Sequence, residues 1–166
     1  MISLAFAQGL MELLDLECTV YLDRDSVPYP NFSETSSVSS VFPEDEIIFI
    51  DKDIVDSPLE FYIMLCINMY DLKLAKDNVP IMDRPLCSRA FASYIIKTVL
   101  DIDIESEKSE EFLQTENEIA LRYPQIRVRD FMAQFYDDID RMNEMFDDEN
   151  IATEYPDEEF DIKKVS

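Results

Sequence analysis

Residues 57–76 constrain the rest of this chain more than any other segment. Ser57-Pro58-Leu59-Glu60 is a capping box with proline at the first helical position. The Ser57 hydroxyl is set to take the Glu60 amide, and the Glu60 carboxylate to reach back to the Ser57 amide. The helix started there is expected to run from Pro58 to about Lys76, stopped by Asn78 and Pro80. Its apolar residues, Leu59, Phe61, Ile63, Met64, Leu65, Ile67, Met69, Leu72 and Leu74, fall on nearly every side. A helix without a polar face must be covered all round, so the other elements have to be built about it.

The covering elements are legible in the same way. Residues 3–16 carry Leu4, Phe6, Leu10, Leu13 and Leu14 on one helical face. Cys18 to Leu22 and Ile47 to Ile50 read as strands, rich in β-branched and aromatic residues. Residues 23–42 hold Pro28, Pro30 and a Ser/Thr cluster, and read as a loop with one short strand around Ser37 to Phe42. Helices are expected from near Pro85 to Leu100 and from Ser109 to about Tyr123, joined by the acidic stretch DIDIESEK. From Ile126, the series Val128, Phe131, Phe135, Ile139, Met142, Phe146 predicts one amphipathic helix ending near Asn150. This order predicts an α+β domain over residues 1–150: a small two- to three-stranded sheet packed by helices, with an acidic helical C-terminal half. Residues 151–166 are expected to be an acidic C-terminal tail. A single glycine in 166 residues argues against phosphate-cradling loops and against an all-β fold with many tight turns.

Charge narrows function. The chain has 37 acidic and 14 basic residues, a formal net charge of −23, and no histidine. The commonest general base and metal ligand is therefore missing, and triads that need histidine are excluded. Such a surface repels nucleic acid and anionic membranes and attracts basic proteins. The acids are densest between Asp137 and Asp161, where Arg141 is the one base.

No apolar run reaches the roughly 20 residues of a membrane span, and the N-terminus lacks the basic start of a signal peptide. Cys18, Cys66 and Cys87 lie apart among apolar residues and are expected to be buried free thiols, which suggests a reducing compartment. A cytoplasmic location is expected, the host cytoplasm if the protein is phage-encoded.

The order helix, strand, loop, strand, central helix, next helix resembles the zincin-like metallopeptidase domain of the ImmA/IrrE type over about the first hundred residues. The matching stretch lies between Glu46 and Leu74 and reads IIFIDKDIVDSPLEFYIMLCINMYDLKL from Ile47. In that family a strand like Ile47 to Ile50 leads into a helix carrying His-Glu-x-x-His. Those positions fall here on Ile67, Asn68 and Asp71, so neither histidine remains and the glutamate base is an asparagine. The family's third, acidic ligand would fall on Leu86 or Cys87. The resemblance implies a zincin fold without zinc, acting as a regulatory scaffold.

Carboxylate pairs such as Asp51/Asp53 and Asp101/Asp103 invite acid/base or metal chemistry, but among 37 acids such pairs arise by chance. The alternation Asp101-Ile102-Asp103-Ile104-Glu105 lacks the glycine and full spacing of a calcium loop. No catalytic residue, metal site or cofactor is assigned; a carboxylate-only metal enzyme stands as an alternative. An acid at every second residue of a helix gives about one charge per ~3 Å, close to the ~3.4 Å phosphate spacing of a DNA strand. In composition and size the chain resembles phage-encoded DNA-mimic inhibitors of restriction enzymes, CRISPR effectors, repair nucleases or replication proteins such as the sliding clamp. That resemblance implies a non-catalytic inhibitor that occupies the basic DNA-binding site of a host protein, with no direct nucleic-acid or membrane binding. The expected partner-binding residues are Asp137, Asp138, Asp140, Glu144, Asp147, Asp148, Glu149, Glu154, Asp157, Glu158 and Glu159. Asp101, Asp103, Glu105, Glu107, Glu110 and Glu111 form a second stripe. The helix expected over 126–149 is also amphipathic enough to serve as the seam of a homodimer.

Overall fold

The Ser57 cap forms, with one change of partner. In the computed structural model, which describes residues 4–138, 140 and 162–163, Ser57 Oγ accepts the Glu60 amide at 3.2 Å. The Glu60 carboxylate reaches one residue further than expected and accepts the Asp56 amide at 3.0 Å. The helix that follows, α2 (Pro58–Lys76), has the expected bounds.

Around it stand α1 (Leu4–Leu14), β1 (Thr19–Tyr21), β2 (Ser39–Phe42), β3 (Ile47–Ile50), α3 (Arg84–Leu100), α4 (Glu110–Arg122), α5 (Gln125–Phe131) and the two-residue β4 (Ile162–Lys163). The fold is α+β. The sheet has the order β2-β3-β1-β4. β1 runs parallel to β3, with Val20 opposite Ile48, and β2 runs antiparallel to β3, with Val41 opposite Ile48. β4 lies within the stretch expected as a tail and pairs antiparallel with β1, Thr19 opposite Lys163.

Strand pleating sorts the side chains to two faces. Val20, Ile48 and Ile50 join the main core under the helices. Phe49 points the other way, into a small cluster with Val27 and Phe32 flanked by Tyr21, Tyr29 and Phe42. Both faces of β3 are therefore covered, and all four of its residues are buried.

The cover on the second face is the loop that follows β1, and Arg24 fastens it. Its guanidinium donates to Thr35 O at 2.7 Å, to Thr35 Oγ1 at 2.8 Å, to Ser37 O at 2.7 Å and to Asp51 Oδ2 at 2.7 Å. It also lies 5.0 Å from the centroid of the Phe49 ring. Asp51 Oδ1 accepts the Asp53 amide at 2.9 Å, so one buried carboxylate holds both the loop and the turn after β3.

Two aromatic groups fill the helical core. Tyr70 of α2 stacks on Phe91 of α3 at 4.2 Å and 2°, with Tyr123 edge-on to both. Phe6, Tyr62 and Phe135 close a triangle with centroids 4.7, 4.8 and 5.2 Å apart. Cys18 and Cys66 are buried, as expected, while Cys87 is only half-buried.

The helix expected from Ile126 to Asn150 is not continuous. α5 ends at Phe131, and Met132 closes it as a turn whose carbonyl takes the amides of Phe135 at 2.9 Å and Tyr136 at 3.2 Å. Residues 133–138 are helical again. Val128, Met132 and Phe135 face the core, and Phe131 is half-buried at its margin. The break falls beside the single glycine. A Cβ on Gly9 of α1 would stand 2.8 Å from Phe131 O and 2.8 Å from Met132 Sδ. The end of α5 therefore presses directly on the backbone of α1. Ile139, Met142 and Phe146, the rest of the expected apolar series, lie outside the described residues.

Burial pushes the Cys18 thiol from its ordinary value of 9.0 up to about 12, and it pushes the Tyr70 hydroxyl from 10.0 up to about 12. The folded chain thus keeps protons that the unfolded chain releases. Their stabilisation is complete below about pH 9 for Cys18 and about pH 10 for Tyr70, and above those values each group loses about 1.4 kcal/mol per pH unit toward pH 12. Urea midpoints are expected to fall steadily between pH 9 and 11, and less steeply in Tyr70→Phe. A flat profile over that range contradicts the burial of both groups.

Candidate acidic interface

The stripe at 101–111 is built by a turn and a cap. α3 ends where Asp101 takes the left-handed conformation, φ 57°, with its amide on Lys97 O at 3.0 Å. Aspartate tolerates this region better than most residues. The chain then doubles back along α3, which brings Asp103 to Lys97 and Glu105 to Arg89. Ser109 caps α4 by accepting the Phe112 amide at 3.1 Å, and Glu110 and Glu111 fall in its first turn. There the N-terminal end of the helix dipole stabilises negative charge.

Part of this charge is neutralised from within. Lys97 Nζ lies 3.1 Å from Asp101 and 3.4 Å from Asp103. The two carboxylates, Asp101 foremost, raise the lysine pKa above its ordinary value. Arg89 meets Glu105 at 3.2 Å, and Lys108 meets Glu116 at 3.1 Å. Asp101, Asp103, Glu107, Glu110, Glu111 and Glu118 are exposed, and Glu105 is half-buried. Residues 101–118 contain eight acids and one base, Lys108. The surface they form is held by Phe112 and Ile119, both buried against the core.

The first stripe is described only at its start. Asp137 and Asp140 are exposed and Asp138 is half-buried. Glu144, Asp147, Asp148, Glu149, Glu154, Asp157, Glu158 and Glu159 lie outside the described residues. Between the two stripes stand three arginines whose place in the pattern sequence reasoning missed. Arg122 donates to Tyr70 Oη at 3.3 Å, and Arg127 lies over the rings of Tyr123 and Phe131 at 5.9 and 5.6 Å. Arg129 is exposed on α5. Their spacing in the sequence, at 122, 127 and 129, was the available signal.

The positions aligned with a zinc motif serve the interior. Asn68 is buried and its Nδ2 donates to Met64 O of its own helix at 2.8 Å. Asp71 is half-buried, 3.5 Å from Arg84 Nε. Burial raises its carboxyl and the arginine opposes that rise. Ile67 and Leu86 pack against the core, with Cys87 beside them. Among the described residues, no three Cys, Asp or Glu side chains converge on one point, and no helix is long and apolar enough to cross a membrane.

No protein-family model, curated protein or solved structure matches this chain.

Proposed function

We propose that this protein is a non-catalytic acidic inhibitor that presents carboxylates in place of DNA phosphates to the basic DNA-binding site of a host protein. The observation that carries the reading is the 101–118 surface. Its segment holds eight acids and one base, Lys97 and Arg89 of α3 offset three of those acids, and it is fixed by a capped helix and a coil tied to α3. Fixed carboxylates repel one another, so a folded scaffold is required to keep them in register. A basic channel that meets such a surface releases counterions as it does on binding DNA. The chemistry suits a restriction, CRISPR, repair or replication factor such as a sliding clamp, met in the cytoplasm.

The reading as a degenerate zincin scaffold puts the interface at Ile67–Asp71 and Cys87, where Asn68 and Asp71 are already engaged inside the fold. That favours the acidic surface as the working face.

The test is retention of host proteins on the immobilised chain, eluted with a salt gradient and repeated with excess duplex DNA. A DNA-binding protein is expected to be retained, released by salt and displaced by DNA. Replacing Asp101, Asp103, Glu107, Glu110 and Glu111 together by lysine is expected to reduce retention by about a hundredfold or more. A partner indifferent to duplex DNA, or retained equally by the lysine variant, overturns the proposal.

A further inference from the structure

We propose that the outer face of α4 is a docking site for a basic amphipathic helix of a partner protein. This names a partner chemistry for one part of the acidic surface. It rests on the reading that the surface meets a basic protein, but not on that protein's binding DNA.

α4 turns Phe112 and Ile119 inward, both almost fully buried. The opposite side carries Leu113, 43% exposed, and Leu121, 83% exposed. The two leucines lie two turns apart, about 12 Å along the axis. Glu110, Glu111, Gln114, Asn117 and Glu118 surround them in a shallow depression. The nearest basic residue on α4, Arg122, turns its guanidinium to the Tyr70 hydroxyl.

Apolar residues at this spacing are what a second helix laid in the groove would cover. Charge selects which helix. A second copy of this chain would set Glu110, Glu111 and Glu118 against the same three carboxylates. The chain's own residues 137–161 are acidic as well. Like charges brought together this way are disfavoured. A foreign helix with apolar residues two turns apart and Lys or Arg beside them satisfies both requirements. It buries Leu113 and Leu121, and it pairs with the flanking glutamates.

The experiment uses the full chain with labelled Leu and Ile methyl groups. The probe is a Leu/Lys peptide that folds as an amphipathic helix, titrated at about 0.15 M salt. The comparison peptide has the same composition in scrambled order. The Leu113 and Leu121 methyl signals are expected to shift with the helical peptide, and it should bind at least about tenfold tighter than the scrambled one. Leu113→Ser with Leu121→Ser, and separately Glu111→Lys with Glu118→Lys, should each lose about tenfold. The serine variant should melt as the wild type does, because Leu113 and Leu121 are exposed, while the lysine variant should melt slightly lower, because Glu111 sits in the first turn of α4. Equal binding of the scrambled peptide, unmoved Leu113 and Leu121 signals, or wild-type affinity in the serine variant overturns the proposal. Should a DNA-displaceable partner still be retained by the serine variant, the inhibitor reading survives while this docking site falls. Should the helical peptide bind as described while no DNA-binding protein is retained, the reverse holds.

Discussion

Replacing Arg24 by alanine is expected to lower the free energy of unfolding by about 3–5 kcal/mol, the cost of leaving one member of a buried ion pair without its partner. The side chains of Arg24 and Asp51 are only 15% and 10% exposed. Without the guanidinium, the Asp51 carboxylate stays in the interior as an unpaired charge, and the carbonyls of Thr35 and Ser37 lose their donor. The second face of β3 is uncovered at the same time, because the loop that Arg24 fastens carries Val27 and Phe32. Asp51→Asn in the Arg24→Ala background is expected to recover part of the loss, since it removes the stranded charge. Urea titration of the two single variants and the double variant measures the coupling. A loss below about 1 kcal/mol in Arg24→Ala, the range of an exposed pair, would mean that the pair is solvated.

The second large effect is expected at Gly9. Glycine to alanine inside a helix ordinarily stabilises by about 1 kcal/mol. Here the new methyl group would meet Phe131 O and Met132 Sδ, each at 2.8 Å. The methionine sulfur can swing aside, but the carbonyl oxygen belongs to the backbone of α5 and cannot move without it. Overpacking of this kind costs about 1–3 kcal/mol and sometimes more. The net expectation for Gly9→Ala is a loss of about 1–2 kcal/mol, and Gly9→Val should lose more. Thermal and urea unfolding decide the sign. A stabilised Gly9→Ala would show that α1 and α5 are less closely apposed than described.

These two positions also mark where sequence reasoning stops. The α2 bounds were legible because a local cap and a local stop enclose a run of apolar residues. The strands were legible because Ile47 to Ile50 is short, apolar and β-branched. The break at Met132 was not, because the spacing Val128, Met132, Phe135 is as helical as the series Val128, Phe131, Phe135. The turn falls where the chain meets a residue more than a hundred positions away, and that contact has no local signature. The role of Arg24 is hidden in the sequence for the same reason: its partners lie 11, 13 and 27 residues on. At the acidic surface, the charge of residues 101–111 could be counted from the sequence. Its partial neutralisation by Lys97 and Arg89 could not, since that depends on the chain doubling back along α3. The outward face of α4 likewise becomes visible only once Phe112 and Ile119 are known to point in.

The apposition of Gly9 with Phe131 and Met132 also bears on how the protein is made. Roughly 120 residues separate the two sides of that contact, which a ribosome adds at about 5–20 per second. For on the order of 10 s after α1 emerges, its apolar residues Phe6, Leu10 and Leu13 therefore lack the helix that will cover part of them. The α2–α3 pair needs no such wait, being adjacent in the chain. Synthesis thus lets the first helix settle on α2 through Phe6 and Tyr62 early but completes its cover last, and a chaperone that binds nascent apolar segments has its longest opportunity there.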